Sequence, residues 1–198
     1  MEFYIKALNL AEKNKAGKEI GTCYINVANI LNTQSDFKGA IQYLGKSLAI
    51  FEGMNDKYNM GVCYNNIAAN YINLDSLNQA MIYLGKSLQI YIGLDDKKGQ
   101  AACYLNMGIV SDKTNDFRKA KNYYLSALSI NEALRDKYRI TTCLANLSIS
   151  YLNLKDYNAV IESSERGLMI AREINVFDAQ RVFYKSLSAT YDSLGNFK

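Results

Sequence analysis

The chain has 198 residues, 49% apolar and 21% charged, an ordinary globular balance that excludes disordered, collagen-like and low-complexity classes. The net charge of +4 comes from 23 basic and 19 acidic residues interleaved along the chain, so no basic stripe marks a nucleic-acid or anionic-lipid surface. There is no His, which removes Ser-His, Cys-His and His-metal chemistry, and no Pro, which favours helices joined by short polar turns. No apolar run approaches the roughly 18 residues of a membrane span, and Met1-Glu2-Phe3-Tyr4 is not a basic-then-apolar export signal.

In chain order, residues 1–16 read as half a structural unit, because Leu8 and Leu10 stand 40 positions before Leu48 and Ile50. Four full units follow at 17–56, 57–96, 97–136 and 137–176, and residues 177–198 begin a fifth. The period of 40 is carried by Cys23, Cys63, Cys103 and Cys143, by Asn26, Asn66, Asn106 and Asn146, and by Leu48, Leu88, Leu128 and Leu168. Within a unit, Tyr64, Ile67, Ala68 and Tyr71 recur at helical spacing, and after a polar break Ala80, Tyr83, Leu84, Leu88 and Tyr91 do so again. Each unit is therefore a helical hairpin. Asp36, Ser76, Asp116 and Asp156 stand where they can cap second helices, and Asp56, Asp96 and Asp136 where they can cap first helices. Gly53 and Gly93 are placed to close second helices in a left-handed conformation.

This unit resembles the tetratricopeptide repeat, whose hairpin carries an aromatic, a Leu-Gly pair and a Tyr, then Ala, an aromatic and Ala. The third unit offers Tyr104, Met107 and Gly108, then Ala120, Tyr124 and Ala127. Small residues at Ala28 and Ala40, at Ala68 and Ala80, and at Gly108 and Ala120 let helix backbones approach closely, whereas Ser148 with Val160 departs from the pattern and suggests looser packing. The usual repeat has 34 residues and a Pro near its end; here the period is longer, and Glu52, Ile92, Glu132 and Arg172 occupy that place. This longer form is similar to the sensor segments of bacterial histidine kinases and regulators, to kinesin light chains and to animal cell-polarity adaptors. The resemblance implies an all-α, right-handed superhelical α-solenoid of antiparallel hairpins.

It also implies a concave groove that takes a protein or peptide ligand. The asparagines at 26, 66, 106 and 146 fall on its expected lining, where a one-per-repeat amide can both donate to and accept from an extended main chain; the alternative is that these amides bond local backbone or water. Asn29, Asn65, Ile72, Leu105, Ile109 and Ile149 complete the candidate site. The trough is mostly neutral and lacks the Lys/Arg cluster with which chaperone-binding relatives clamp a carboxylate. Asp112 beside Lys113 is its only charged neighbour pair and reads as solvated.

The remaining motifs have plain readings. The four Cys lie on helices expected about 8–10 Å apart, beyond the roughly 7 Å Cα limit of a disulfide, so four free thiols and no metal site are expected. Gly45-Lys46-Ser47 and Gly85-Lys86-Ser87 match the tail of a phosphate-binding loop, but Ala40 and Ala80 replace its first Gly and the segment is helical, which argues against nucleotide. The expectation is a non-catalytic interaction module without a cofactor, the sensing part of a larger signalling protein or, alternatively, a free-standing scaffold. Because the array is cut inside a repeat at each end, either the chain continues or two copies pair end to end. Unpaired thiols fit a reducing cytoplasm, while the resemblance to sensor kinases leaves a periplasmic location open.

Overall fold

The computed structural model describes residues 17–195. Nine helices, all of 17 residues, make up this part: α1 (Gly17–Thr33), α2 (Phe37–Gly53), α3 (Lys57–Asn73), α4 (Leu77–Gly93), α5 (Lys97–Lys113), α6 (Phe117–Ala133), α7 (Lys137–Asn153), α8 (Tyr157–Glu173) and α9 (Phe177–Ser193). No described helix is long and apolar enough to cross a membrane. The half-repeat expected over 1–16, and Phe197 where a further helix is expected to start, lie outside the described residues.

Three-residue turns join the helices, and they share one geometry. Ser35, Asn55, Asp75, Asp95, Asn115, Arg135, Lys155 and Asn175 all have positive φ, at intervals of 20 residues. At the α2–α3 turn, Asn55 N–H donates to Glu52 O at 3.0 Å and Asp56 N–H to Phe51 O at 2.9 Å, the paired bonds of a Schellman closure around a left-handed residue. Asp56 then starts α3, accepting from Asn59 N–H at 3.1 Å. One residue thus ends one helix and caps the next, which is why the turns need only three positions. Asp36, Asp116, Asp136 and Asp156 cap in the same way, and Asp96 accepts from Lys98 N–H and Gly99 N–H. Ser76 makes no side-chain cap bond. Gly53 and Gly93 are not the left-handed residues: they end their helices, and the closure falls two positions later, on Asn55 and Asp95.

The chain forms two compact units, residues 1–99 and 100–198. In the first, α1 packs on α2, α2 on α3 and α3 on α4. Its core includes Ala28, Ala40, Leu44 and Ile67, flanked by Ile25, Leu31, Leu48 and Tyr71. Burial of one such Leu or Ile side chain stabilises the fold by about 1.5–3 kcal/mol. Aromatic rings from the second helices lie against glycines of the first helices. A Cβ at Gly21 would stand 2.6 Å from the Phe51 ring, and one at Gly99 2.4 Å from Tyr91. Ser47, on α2, is fully buried and donates to Gly21 O at 2.8 Å while accepting from the Cys63 thiol at 3.4 Å, so one hydroxyl ties α2 to both neighbours. Ser87 repeats the bond to Gly61 O at 2.8 Å. The Gly-Lys-Ser motif is therefore a helix-packing element.

In the second unit, α6 packs on α7, α7 on α8, and α9 on both α7 and α8. Tyr124, Ala127, Cys143, Leu147, Ala171 and Phe183 form its core, with Tyr104, Leu105 and Ile109 of α5 packed against it. Ser148 and Val160 are both fully buried, and Ser148 Oγ lies 3.1 Å from Ser186 Oγ. Ser148 bonds within its own helix, to Ala145 O at 2.8 Å, and across to α9, while a cavity of about 160 Å³ lies in the same hairpin, lined by Leu144, Leu147 and Tyr151 of α7 and Ala159 and Ser163 of α8. None of the four cysteines forms a disulfide; Cys63, Cys103 and Cys143 are buried and Cys23 is partly buried. Burial, the largest cause, pushes the Cys63 and Cys143 thiols up to about 11, so neither is a thiolate nucleophile near neutrality.

Candidate functional site

The amide positions lie on the first helix of each hairpin. In the first unit Asn26 is half-buried and Asn29 exposed on α1, while Asn65 and Asn66 are half-buried on α3. In the second unit Leu105, Asn106 and Ile109 are half-buried on α5, Asn146 is half-buried on α7, and Ile149 beside it is 40% exposed. The side-chain amides of Asn26, Asn66 and Asn146 make no hydrogen bond to described residues, although the backbone carbonyl of Asn66 accepts from Asn70 Nδ2 at 2.9 Å. A half-buried amide without an internal partner keeps both its donor and its acceptor for a ligand or for water.

Two candidate positions differ from expectation. Ile72 is only 6% exposed, so it belongs to the packed interior and offers no surface. Asp112 is not half of a solvated pair with Lys113. Its Oδ2 accepts from Tyr124 OH at 2.7 Å and its Oδ1 from Ser150 Oγ at 2.9 Å, joining α5, α6 and α7. Burial raises the Asp112 carboxyl above its ordinary value, opposed by these two hydrogen bonds, while burial and the Asp112 charge push the Tyr124 phenol far up. The phenol therefore keeps its proton and donates to Asp112.

Tyr124 and Ser150 escape a reading by helical periodicity, since both are fully buried or nearly so and look like ordinary core positions. A signal does exist in the comparison between units. Where the first two units have Ala28 with Leu44 and Ala68 with Leu84, the third has Gly108 with Tyr124. A Cβ on Gly108 would lie 2.3 Å from the Tyr124 ring, so the glycine makes room for the ring whose hydroxyl reaches Asp112. Among the described residues no group of three or more Cys, Asp or Glu is placed to hold a metal ion.

Helical hairpins of constant length, each contributing one amide at an equivalent position of its first helix, define a repeat protein of the α-solenoid class. Tetratricopeptide-repeat family models match residues 60–133 and 20–53, together more than half of the chain. The protein belongs to the tetratricopeptide-repeat family. Among curated protein sequences none matches significantly. Solved structures share the fold at low identity. BtubC from P. vanneervenii is 19% identical with a TM-score of 0.84, covering 98% of this chain and 81% of its own. A signal transduction ATPase with numerous domains (STAND) from Pyrococcus horikoshii, with a tetratricopeptide repeat sensor, is 24% identical with a TM-score of 0.76, covering 92% of this chain and 29% of its own. A Rap protein complexed with Competence and Sporulation Factor is 18% identical with a TM-score of 0.76, covering 98% of this chain and 63% of its own.

Proposed function

We propose that this chain is a non-catalytic module that binds a protein or peptide segment through the amide-bearing faces of its first helices, and that it serves as the sensing part of a larger signalling protein. The carrying observation is that Asn26, Asn66 and Asn146 sit half-buried at equivalent positions with side-chain amides uncommitted to described residues. An uncommitted amide can pair with the main chain of an extended segment, while Leu105, Ile109 and Ile149 supply apolar contact beside it. The absence of His from the chain and the protonated state of the buried Cys63 and Cys143 thiols weigh against nucleophilic or acid–base chemistry. The likeness to a STAND protein's repeat sensor, and to a Rap protein complexed with its factor, supports a sensing role.

The test selects binders from a random peptide library on the full chain and measures their affinity for two double variants, Asn26→Ala with Asn66→Ala and Asn66→Ala with Asn146→Ala. Removal of two amide contacts is expected to weaken binding by roughly tenfold to a hundredfold without changing the melting temperature. Unchanged affinity in both variants would overturn the reading.

A further inference from the structure

Two tyrosine pairs in the first unit are built alike, one ring from each helix of a hairpin. Tyr24 and Tyr43 have ring centroids 5.8 Å apart, and Tyr64 and Tyr83 6.0 Å apart. Each pair is capped by a lysine of the same chain. Lys46 Nζ stands 5.7 Å from the Tyr24 centroid and 4.8 Å from that of Tyr43, and Lys86 Nζ stands 5.5 Å from Tyr64 and 5.3 Å from Tyr83. An ammonium group shared by two ring faces is held by both quadrupoles, and an exposed Lys keeps the rest of its hydration shell.

The second unit contains a third pair at the corresponding positions. Tyr104 and Tyr123 are 6.4 Å apart with ring planes at 24°, and both are half-buried. The position that corresponds to Lys86 is Ser126, which is exposed and whose hydroxyl donates to Asn122 O at 3.1 Å within its own helix. No Lys or Arg among the described residues lies over either ring. The aromatic half of the arrangement is kept here, and the chain's own cation is not.

We propose that the Tyr104–Tyr123 pair is a binding site for the cationic side chain of a basic residue presented by a protein partner. The two sister pairs, tilted at 49° and 43° where Tyr104 and Tyr123 stack at 24°, show which chemistry a tyrosine pair at these positions accepts, because each is closed by an ammonium group. Ser126 carries no charge and its hydroxyl is turned back to the backbone, so a cation from outside meets no cationic competitor among the described residues there. Tyr104 and Asn106 are two residues apart on α5, about 200° around the helix, so this surface is separate from the amide positions and stands whether or not those bind a peptide.

The experiment titrates the full chain with N-acetyl-lysine methylamide and follows the tyrosine rings by NMR, with sodium chloride and N-acetyl-norleucine methylamide as controls. Saturable shifts at Tyr104 and Tyr123 are expected with the lysine derivative alone. They disappear in Ser126→Lys, which restores an internal cap at an exposed position, and matching shifts arise at Tyr64 and Tyr83 in Lys86→Ser. The proposal is overturned if Tyr104 and Tyr123 show no saturable shift, if the uncharged derivative shifts them equally, or if the response persists in Ser126→Lys.

Discussion

The Tyr124 hydroxyl donates to Asp112 Oδ2 at 2.7 Å from a ring that lies directly over Gly108. The third hairpin is thus held by a glycine–tyrosine–carboxylate arrangement at positions where the first two hairpins use Ala with Leu. An added methyl at Gly108 has to displace a fully buried ring, which costs about 1–3 kcal/mol. Tyr124→Leu alone removes the phenol that Asp112 accepts from. The double variant Gly108→Ala with Tyr124→Leu rebuilds the pairing of the earlier hairpins and is expected to be less destabilised than the sum of the singles by about 1 kcal/mol or more. Urea unfolding of the four proteins measures this coupling, and additive effects would contradict it.

Asp112 also gives the second unit a pH dependence. Burial, outweighing the bonds from Tyr124 and Ser150, lifts its carboxyl above the ordinary value of 3.8, so the native chain holds a proton where the unfolded chain has released it. The stability this contributes is complete below the unfolded value and is lost as pH rises through the native one. Asp112→Asn is therefore expected to flatten stability against pH in the window just above 3.8. Parallel pH profiles for the native protein and the variant would refute the assignment.

Each of the eight turns that join the described helices places a non-glycine residue at positive φ, and Arg135 (φ 55°) and Lys155 (φ 59°) lack the short polar side chain that eases it. The left-handed conformation costs an L-residue about 1–2 kcal/mol, and glycine escapes this at some cost in unfolded-chain entropy. Arg135→Gly and Lys155→Gly are expected to stabilise by about 0.5–1 kcal/mol each, visible as higher melting temperatures. Asn115→Gly should change less, since Asn tolerates this region better.

Two buried serines have opposite expected responses to Ala. Ser47 donates to Gly21 O, and its loss is expected to cost about 0.5–1.5 kcal/mol. Ser164 is fully buried with an Oγ that has no hydrogen-bond partner among the described residues, so Ser164→Ala is expected to leave stability unchanged or raise it. Denaturant midpoints for the two variants decide this, and a loss in Ser164→Ala as large as in Ser47→Ala would show that the Ser164 hydroxyl is satisfied in solution.

Much of the fold was legible because its signals are local. Helical spacing in Tyr64, Ile67, Ala68 and Tyr71 and the capping Asp residues act within one or two turns of chain, and both reappear in α3 and in the turns. The turn closure was misassigned to Gly53 and Gly93 because glycine is the usual left-handed residue, whereas the three-residue spacing puts Asn55 and Asp95 there. The candidate site was legible only as positions. The amides at 26, 66 and 146 were visible in sequence, but their freedom from internal partners was not. Ile72 and Asp112 were misread because helix phase does not say how deeply a neighbouring helix covers a given side.

The sequence by itself determined the period of 40 residues, the helical hairpin and most caps, since each depends on residues near one another in the chain. Only the tertiary structure decided that Tyr124 lies over Gly108 and donates to Asp112, that Ser150 joins them from α7, and that Lys46 and Lys86 close their tyrosine pairs. The reason is physical. Those relationships are set by how closely separate helices approach, and a side chain long enough to cross that distance finds a partner that no local pattern specifies.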